Sequence, residues 1–237
     1  MKIIFLTSYK THHKYLISKI SKTEDVSVLK ETDIIRPKFE TYSEIEKLTE
    51  SFEKKNMLSE NFQKSIISQE TFNSINSPKI LTKLKELNPN LVFVLGTRKI
   101  SSNIIEEFNG RLINLHGGDA ELYRGLDSHL WAIYHKDFDA LKVTAHFVSK
   151  ELDDGEIVKK EKLDLSNISS IAQLRFQNIL TCEKILLEII NDYKLNMKIK
   201  SVKQNEKYSR YYSFMPKDLK SICIRNFNKF IRPTNDR

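Results

Sequence analysis

Apolar residues along this chain fall in short runs, separated by polar stretches in which apolar positions recur every three or four residues, the alternation of buried strand and amphipathic helix. Lys2 to Thr7 is a run suited to a central parallel strand. His12 to Ile20 then places Tyr15, Leu16, Lys19 and Ile20 at helical spacing, and Val26 to Leu29 reads as a second strand. Glu40 to Ser77 is polar with apolar residues at spacings of three and four, which predicts one or two surface helices. Leu81 to Leu87 predicts a helix ended by Asn88-Pro89-Asn90, and Leu91 to Leu95 is the clearest buried strand. Ile100 to Phe108 fits a helix stopped by Asn109-Gly110, followed by a further parallel strand from Leu112 to Leu115.

Beyond that point Gly125 to Tyr134 reads as helical. Val143, Ala145 and Phe147 alternate with Thr144, His146 and Val148 as in a half-covered strand, and Glu156 to Glu161 continues as another after an acidic turn. Ile171 to Ile190 is the longest predicted helix, and Pro216 suits the first turn of a last one ending near Phe230. The fold class is α/β: a Rossmann-like, open, mostly parallel sheet over residues 1–192, with a small C-terminal extension over 193–237.

Composition narrows the setting. The 237 residues suffice for one sizeable α/β domain with an appendage. No apolar run approaches the roughly 20 residues of a membrane span, and Tyr9-Lys10-Thr11-His12-His13-Lys14 follows the first apolar run without a signal-peptide cleavage site. Cys182 and Cys223 indicate neither a disulfide framework nor a zinc site, so a reducing cytoplasm is expected and no metal. A net charge of +8 raises nucleic acid as a partner. Against it, the lysines are spread out and no arginine cluster or glycine-aromatic RNA motif occurs, which favours a solvated basic surface. A phosphorylated small substrate needs only a few such charges.

The unusual polar residues concentrate between Arg111 and Val158. Asn114 and His116 lie two apart in a strand and so share a face, and Gly117-Gly118 breaks that strand where an open sheet forms its ligand crevice. Gly96 ends the preceding strand in the same way, with no G-x-G-x-x-G fingerprint anywhere near the first strand. Asn114, His116 and Asp153 are expected to meet in one site. Taken singly, each reads as readily as a strand-end polar group or a turn-capping Asp. Tyr123 and Arg124 either line a pocket or pin their loop. Lys10, His12 and His13 either reach a substrate phosphate or are solvated loop residues, while His129 and His135 read as structural. The cluster of Tyr208, Tyr211, Tyr212 and Phe214 could stack a nucleotide base or form a strand or dimer contact.

Asn114-x-His116, Tyr123-Arg124-Gly125, Thr144-Ala145-His146-Phe147-Val148 and Leu152-Asp153-Asp154-Gly155, in that order, resemble the formyltransferase family. The resemblance is dense from Leu91 to Val158, weak before it, and limited afterwards to Met215-Pro216-Lys217-Asp218. It implies a formyltransferase fold, a catalytic triad on Asn114, His116 and Asp153, and 10-formyltetrahydrofolate as co-substrate. Folate-binding loops are implied at Gly96 to Ile100, including Thr97 and Arg98, and at Glu151 to Gly155, including Leu152 and Asp154. His146 matches a family histidine close to the site. The chemistry suits these types: Asn114 and a protonated His116 can donate to the formyl oxygen as it gains negative charge, and a carboxylate beside His116 helps move the amine proton.

Where many relatives have Ser-Leu-Leu-Pro after the His-Gly, this chain has Gly118-Asp119-Ala120-Glu121, which points to a different acceptor. Methionyl-tRNA formyltransferases carry a further C-terminal barrel, and only about 80 residues follow Asp153 here, against a tRNA acceptor. Glycinamide ribonucleotide transformylases open on a glycine-rich phosphate loop that Ser8-Tyr9-Lys10-Thr11 does not provide. The resemblance is therefore to sugar N-formyltransferases acting on a nucleotide-linked amino sugar, with dTDP-4-amino-4,6-dideoxyglucose preferred, for surface polysaccharide such as O-antigen. Substrate-binding roles are expected for Lys10, Tyr123, Arg124 and Tyr211, with no nucleic acid and no membrane as partner. Family likeness also implies a homodimer through a tail of β-hairpin plus helix. The rivals are formyltransfer to another amine, a formyltetrahydrofolate hydrolase, and a noncatalytic nucleic-acid binder.

Overall fold

The computed structural model describes residues 1–33, 36–57, 66–205 and 208–232. Its strands are β1 (Lys2–Thr7), β2 (Asp25–Glu31), β3 (Ile66–Phe72), β4 (Leu91–Leu95), β5 (Leu112–His116), β6 (Tyr123–Gly125), β7 (Lys142–Phe147), β8 (Ile157–Lys162) and β9 (Arg210–Tyr212). Its helices are α1 (Thr11–Ile20), α2 (Glu44–Met57), α3 (Pro78–Leu87), α4 (Ser102–Glu107), α5 (Ser128–Tyr134), α6 (Leu174–Asn196) and α7 (Lys217–Ile231).

Strand alternation sets the layers. In β1, Ile3 and Phe5 point to one side and Ile4 and Leu6 to the other, and all four are at most 2% exposed. Ile4 and Leu6 join Val92, Val94 and Leu112 under α3 and α4, through Ile80, Leu84, Ile104 and Ile105. Ile3 and Phe5 join Phe93 and Ile113 under α1 and α6, through Leu16, Ile17, Ile185, Leu186 and Ile189. Strands covered on both faces are the reason the runs are continuously apolar. Each such large side chain contributes about 1.5–3 kcal/mol on burial.

Seven strands form one sheet in the order β3-β2-β1-β4-β5-β7-β8. From β3 to β5 all neighbours are parallel, whereas β7 runs antiparallel to both β5 and β8. The expected mostly parallel α/β sheet is therefore present. A second ribbon pairs β6 with β9 in parallel.

Several expectations need correction. Within 40–77 only α2 is a helix among the described residues; Ile66–Phe72 is the parallel edge strand beside β2. Its alternating exposure is that of a strand, and main-chain pairing with β2 outweighs the polar composition. α2 itself is the expected surface helix, with Ile45, Thr49, Glu53 and Met57 as its buried stripe at four-residue spacing. Residues 58–65 lie outside the described residues. Gly125 to Asp127 does not belong to α5: Gly125 ends β6, and Asp127 sits at φ 51 before the helix starts. In the tail, α6 runs on to Asn196, and among the described residues β9 pairs in parallel with β6.

Candidate active site

β5 carries Ile113 into the core and presents Asn114 and His116 on the opposite face. Parallel pairing with β4 sets its end beside Gly96, so Gly96 and Gly117 both line one cleft, as the strand-end pattern predicts. The antiparallel register places His146 of β7 directly opposite Asn114. Between β7 and β8 the chain folds back over this pair and brings Asp153 to it, with Asp153 itself at φ 53. Gly155 makes that turn possible, since a Cβ there would lie 1.7 Å from the Phe147 carbonyl oxygen. Gly118 serves His116 likewise: a Cβ would meet the imidazole Nε2 at 2.9 Å and Ser128 Cβ at 2.7 Å.

Asn114, His116 and His146 share the Asp153 carboxylate. Asn114 Nδ2 donates to Asp153 Oδ1 at 3.1 Å and to His146 Nε2 at 3.1 Å. His146 Nδ1 donates to the Phe147 carbonyl at 2.8 Å, which leaves Nε2 as the acceptor for the amide. Asp153 Oδ2 accepts the Gly125 backbone N–H at 2.8 Å and faces His116 Nδ1 at 3.4 Å. His116 Nε2 donates to the Tyr123 carbonyl at 2.7 Å. Burial of Asp153 works to raise its pKa, but His116, His146 and the Gly125 N–H outweigh it and hold the carboxyl well below the usual carboxylate range. Asn114, His116 and Asp153 thus meet as the sequence predicts. Asn114 and His116 turn their donors inward, onto Asp153 and onto the Tyr123 carbonyl.

The cleft, about 360 Å³, extends in two directions from this centre. One arm has Val94, Ile100, Val148 and Leu152 with the loops at 96–100 and 149–153. Gly96, Thr97, Arg98, Ile100 and Leu152 of the expected folate loops line it, and Asp154 does not, being turned to Arg124 Nη1 at 2.7 Å. Arg98 is tied down by Glu31 at 2.6 Å and Asp33 at 2.9 Å. Apolar side chains beside loop backbone and the polar side chains of the site suit a flat heteroaromatic ring with hydrogen-bonding edges.

The other arm lies between α2, α5 and α6, where Thr49, Leu130, Arg175 and Asn178 line the wall. None of the four residues expected to touch substrate lines the cleft. Lys10 is exposed after β1. The buried Tyr123 donates its hydroxyl to Asp137 at 3.1 Å, and Arg124 binds the Ala120 carbonyl and Gln204. Both pin the loop under His116. Tyr211 is 61% exposed on β9.

Sequence reasoning missed Arg175 and Asn178 on α6. Arg175 Nε donates to the buried Glu53 at 2.5 Å, and the same carboxylate oxygen lies 3.1 Å from His12 Nδ1. Burial, then Arg175 and Lys10, push His12 well below its ordinary range, so it stays neutral. The only signal for this group was Glu53 within the four-residue stripe of α2.

Residues 1–188 match the Formyl transferase family. The chain belongs to the formyl transferase family. This formyl transferase chain is 24% identical over 160 residues to the methionyl-tRNA formyltransferase of Finegoldia magna, covering 67% of this chain and 50% of that protein. Its matches to four such curated relatives cover between 31% and 53% of their length. Among solved structures it shares the fold of the formyltransferase PseJ from Anoxybacillus kamchatkensis, with TM-score 0.53 and 19% identity over 90% of this chain and 86% of that one. PseJ was solved with UDP-4,6-dideoxy-4-formamido-L-AltNAc and tetrahydrofolate. The N-formyltransferase of Helicobacter canadensis, solved with folinic acid and dTDP-3-aminofucose, gives TM-score 0.55 and 17% identity over 90% and 71% of the two chains.

Proposed function

We propose that this formyl transferase moves a formyl group from 10-formyltetrahydrofolate to the amine of a nucleotide-linked amino-deoxy sugar. The observation that carries the reading is the Asn114, His116, His146 and Asp153 cluster at the junction of an apolar arm and a polar, Arg175-bearing arm. Relatives of the same fold hold a folate together with a nucleotide sugar. We take dTDP-4-amino-4,6-dideoxyglucose as the first acceptor to test, the cytoplasm as the compartment, surface polysaccharide synthesis as the setting and a homodimer as the working assembly.

Folate would lie against Gly96, Thr97, Ile100 and Leu152, and when bound it supplies the formyl group. Asn114 exchanges its bond to His146 Nε2 for the formyl oxygen and stabilises the charge gathering there. Losing such a donor costs about 10²–10³ in rate. The amine nitrogen bonds to the formyl carbon as that carbon's bond to the folate nitrogen breaks. The proton leaving the amine is held at His116 Nδ1, where Asp153 Oδ2 stands 3.4 Å away to balance it, and passes on to the folate nitrogen. Asp153 orients Asn114 and His116 together, and Tyr123 and Arg124 support the loop beneath. Lys10 and Tyr211 are the exposed groups that a nucleotide meets outside the cleft.

The test is incubation with 10-formyltetrahydrofolate and a panel of dTDP- and UDP-amino sugars, following folate absorbance and product mass, with His116→Ala alongside. One acceptor gaining the mass of a formyl group, with the reaction lost in the variant, is the expected result. Formate release without any amine would replace this reading with a hydrolase.

A further inference from the structure

The C-terminal helix α7 lies beyond the matched family region, yet it fastens both walls of the arm that holds Arg175. Lys220, Cys223, Asn226 and Phe227 form its buried face, and Lys220 is only 2% exposed. Toward α2, Lys220 Nζ donates to the Thr41 carbonyl at 2.6 Å and pairs with Glu46 Oε1. The second Glu46 oxygen accepts the Ser43 backbone N–H at 2.8 Å and its hydroxyl at 2.6 Å, which fixes the start of α2. Lys217 adds its own N–H to the Glu40 carbonyl at 3.0 Å.

Toward α5, Asn226 Nδ2 donates to the carbonyls of Ile133 at 3.1 Å and Tyr134 at 3.2 Å, and Cys223 Sγ to that of Leu130 at 3.3 Å. These include carbonyls that the end of a helix leaves without an intrahelical partner. Just before α7, the Met215 backbone N–H donates to Asp127 Oδ2 at 2.8 Å. Ile45, Glu46 and Thr49 on one side, and Asp127 to Leu130 on the other, all line the cleft.

We propose that α7 braces the acceptor arm and that Lys220 is a positioning residue for acceptor binding, acting through Glu46. Glu46 is a carboxylate on the wall of an arm that, on the function proposed above, receives an anionic nucleotide sugar. Lys220 keeps that carboxylate paired and turned against the start of α2. Without Lys220, an uncompensated negative charge faces the acceptor and the wall loses its tie.

The experiment uses the full chain with Lys220→Met, Glu46→Gln and the double variant. Lys220→Met is expected to raise the acceptor KM about tenfold or more, the scale of losing one partner of a buried charge pair, with kcat and folate affinity close to wild type. The double variant, which also removes the carboxylate, is expected to recover most of that loss. A merely structural lysine would lower thermal stability without this KM recovery, and that outcome overturns the proposal. Hydrogen exchange over residues 41–50 gives a reading independent of activity: protection should fall in Lys220→Met while 112–116 stays protected. If no amino sugar is formylated by the wild type, the function fails on its own, and unchanged protection at 41–50 would still sink the brace.

Discussion

Asp153 Oδ1 accepts the side-chain amide of Asn114 at 3.1 Å across 39 residues of sequence, while its Oδ2 takes the Gly125 backbone N–H at 2.8 Å. One carboxylate therefore fixes the strand-end amide, faces His116 and tethers the loop that carries Gly125. Asp153→Asn keeps the shape but removes the charge opposite His116 Nδ1. We expect kcat to fall about 10²–10³-fold, the range seen when a preorganised electrostatic partner is lost, with folate affinity little changed. Single-turnover kinetics beside equilibrium folate titration checks both halves.

Stability should fall on mild acidification. Burial pushes His129 down to about 4, against a bond to the Lys142 carbonyl that works upward and ahead of the smaller repulsion from His116. The folded protein thus resists a proton that the unfolded chain takes up below pH 6.5, so stability is lost as pH falls from 6.5 to 4 and is intact above. This residue alone accounts for about 3 kcal/mol, and His13, held well below its ordinary range by burial and then by His12, Lys10 and Arg175, acts in the same direction. Urea midpoints between pH 7.5 and 4.5 measure the slope, and His129→Gln should flatten it.

Asp153 acts with the same sign at lower pH. Its depressed folded pKa contributes stability above the ordinary carboxylate range, lost as pH falls through the folded value. The Asp153→Asn variant should therefore lose less stability than wild type between pH 4 and pH 2, which chemical denaturation at those pH values reads directly.

Gly155→Ala tests whether the turn is what delivers Asp153. Its Cβ would lie 1.7 Å from the Phe147 carbonyl oxygen, which is backbone and cannot step aside. The loop must shift, and a displacement on the scale of 1 Å costs about 10²-fold in rate, with about 3 kcal/mol of stability lost to overpacking. Thermal unfolding and kcat should fall together, unlike in Asp153→Asn.

Asp119, 2% exposed, binds Lys142 at 2.7 Å and Lys160 at 3.0 Å, so the segment after Gly117 is held by ion pairs to β7 and β8. Asp119→Asn removes the carboxylate that holds Lys142 and leaves Lys160 with Glu121 alone, and should cost about 2 kcal/mol, the scale of a charged hydrogen bond. Because Thr144 Oγ donates to the Gly118 carbonyl at 2.7 Å, backbone positions next to His116 should keep their hydrogen-exchange protection.

The periodicity of the chain was enough to place β1, β4, β5, α1, α3 and the long α6, because elements buried on both faces of a sheet, or along one stripe of a helix, must carry that burial in their own residues. The Asn114 and His116 pair was legible for the same reason: side chains two apart on a strand share a face whatever surrounds them. Asp153 was expected there from its acidic turn and from the motif resemblance, but its geometry depends on the antiparallel turn of β7 and on Gly155. Edge strand β3 was misread because a strand covered on one side needs a partner strand more than an apolar run. Arg175, Glu53, Lys220 and Glu46 left almost no trace in the sequence. A buried charge is tolerated only where an opposite charge from a distant segment meets it, and that meeting exists only once the tertiary fold has brought α2, α6 and α7 together.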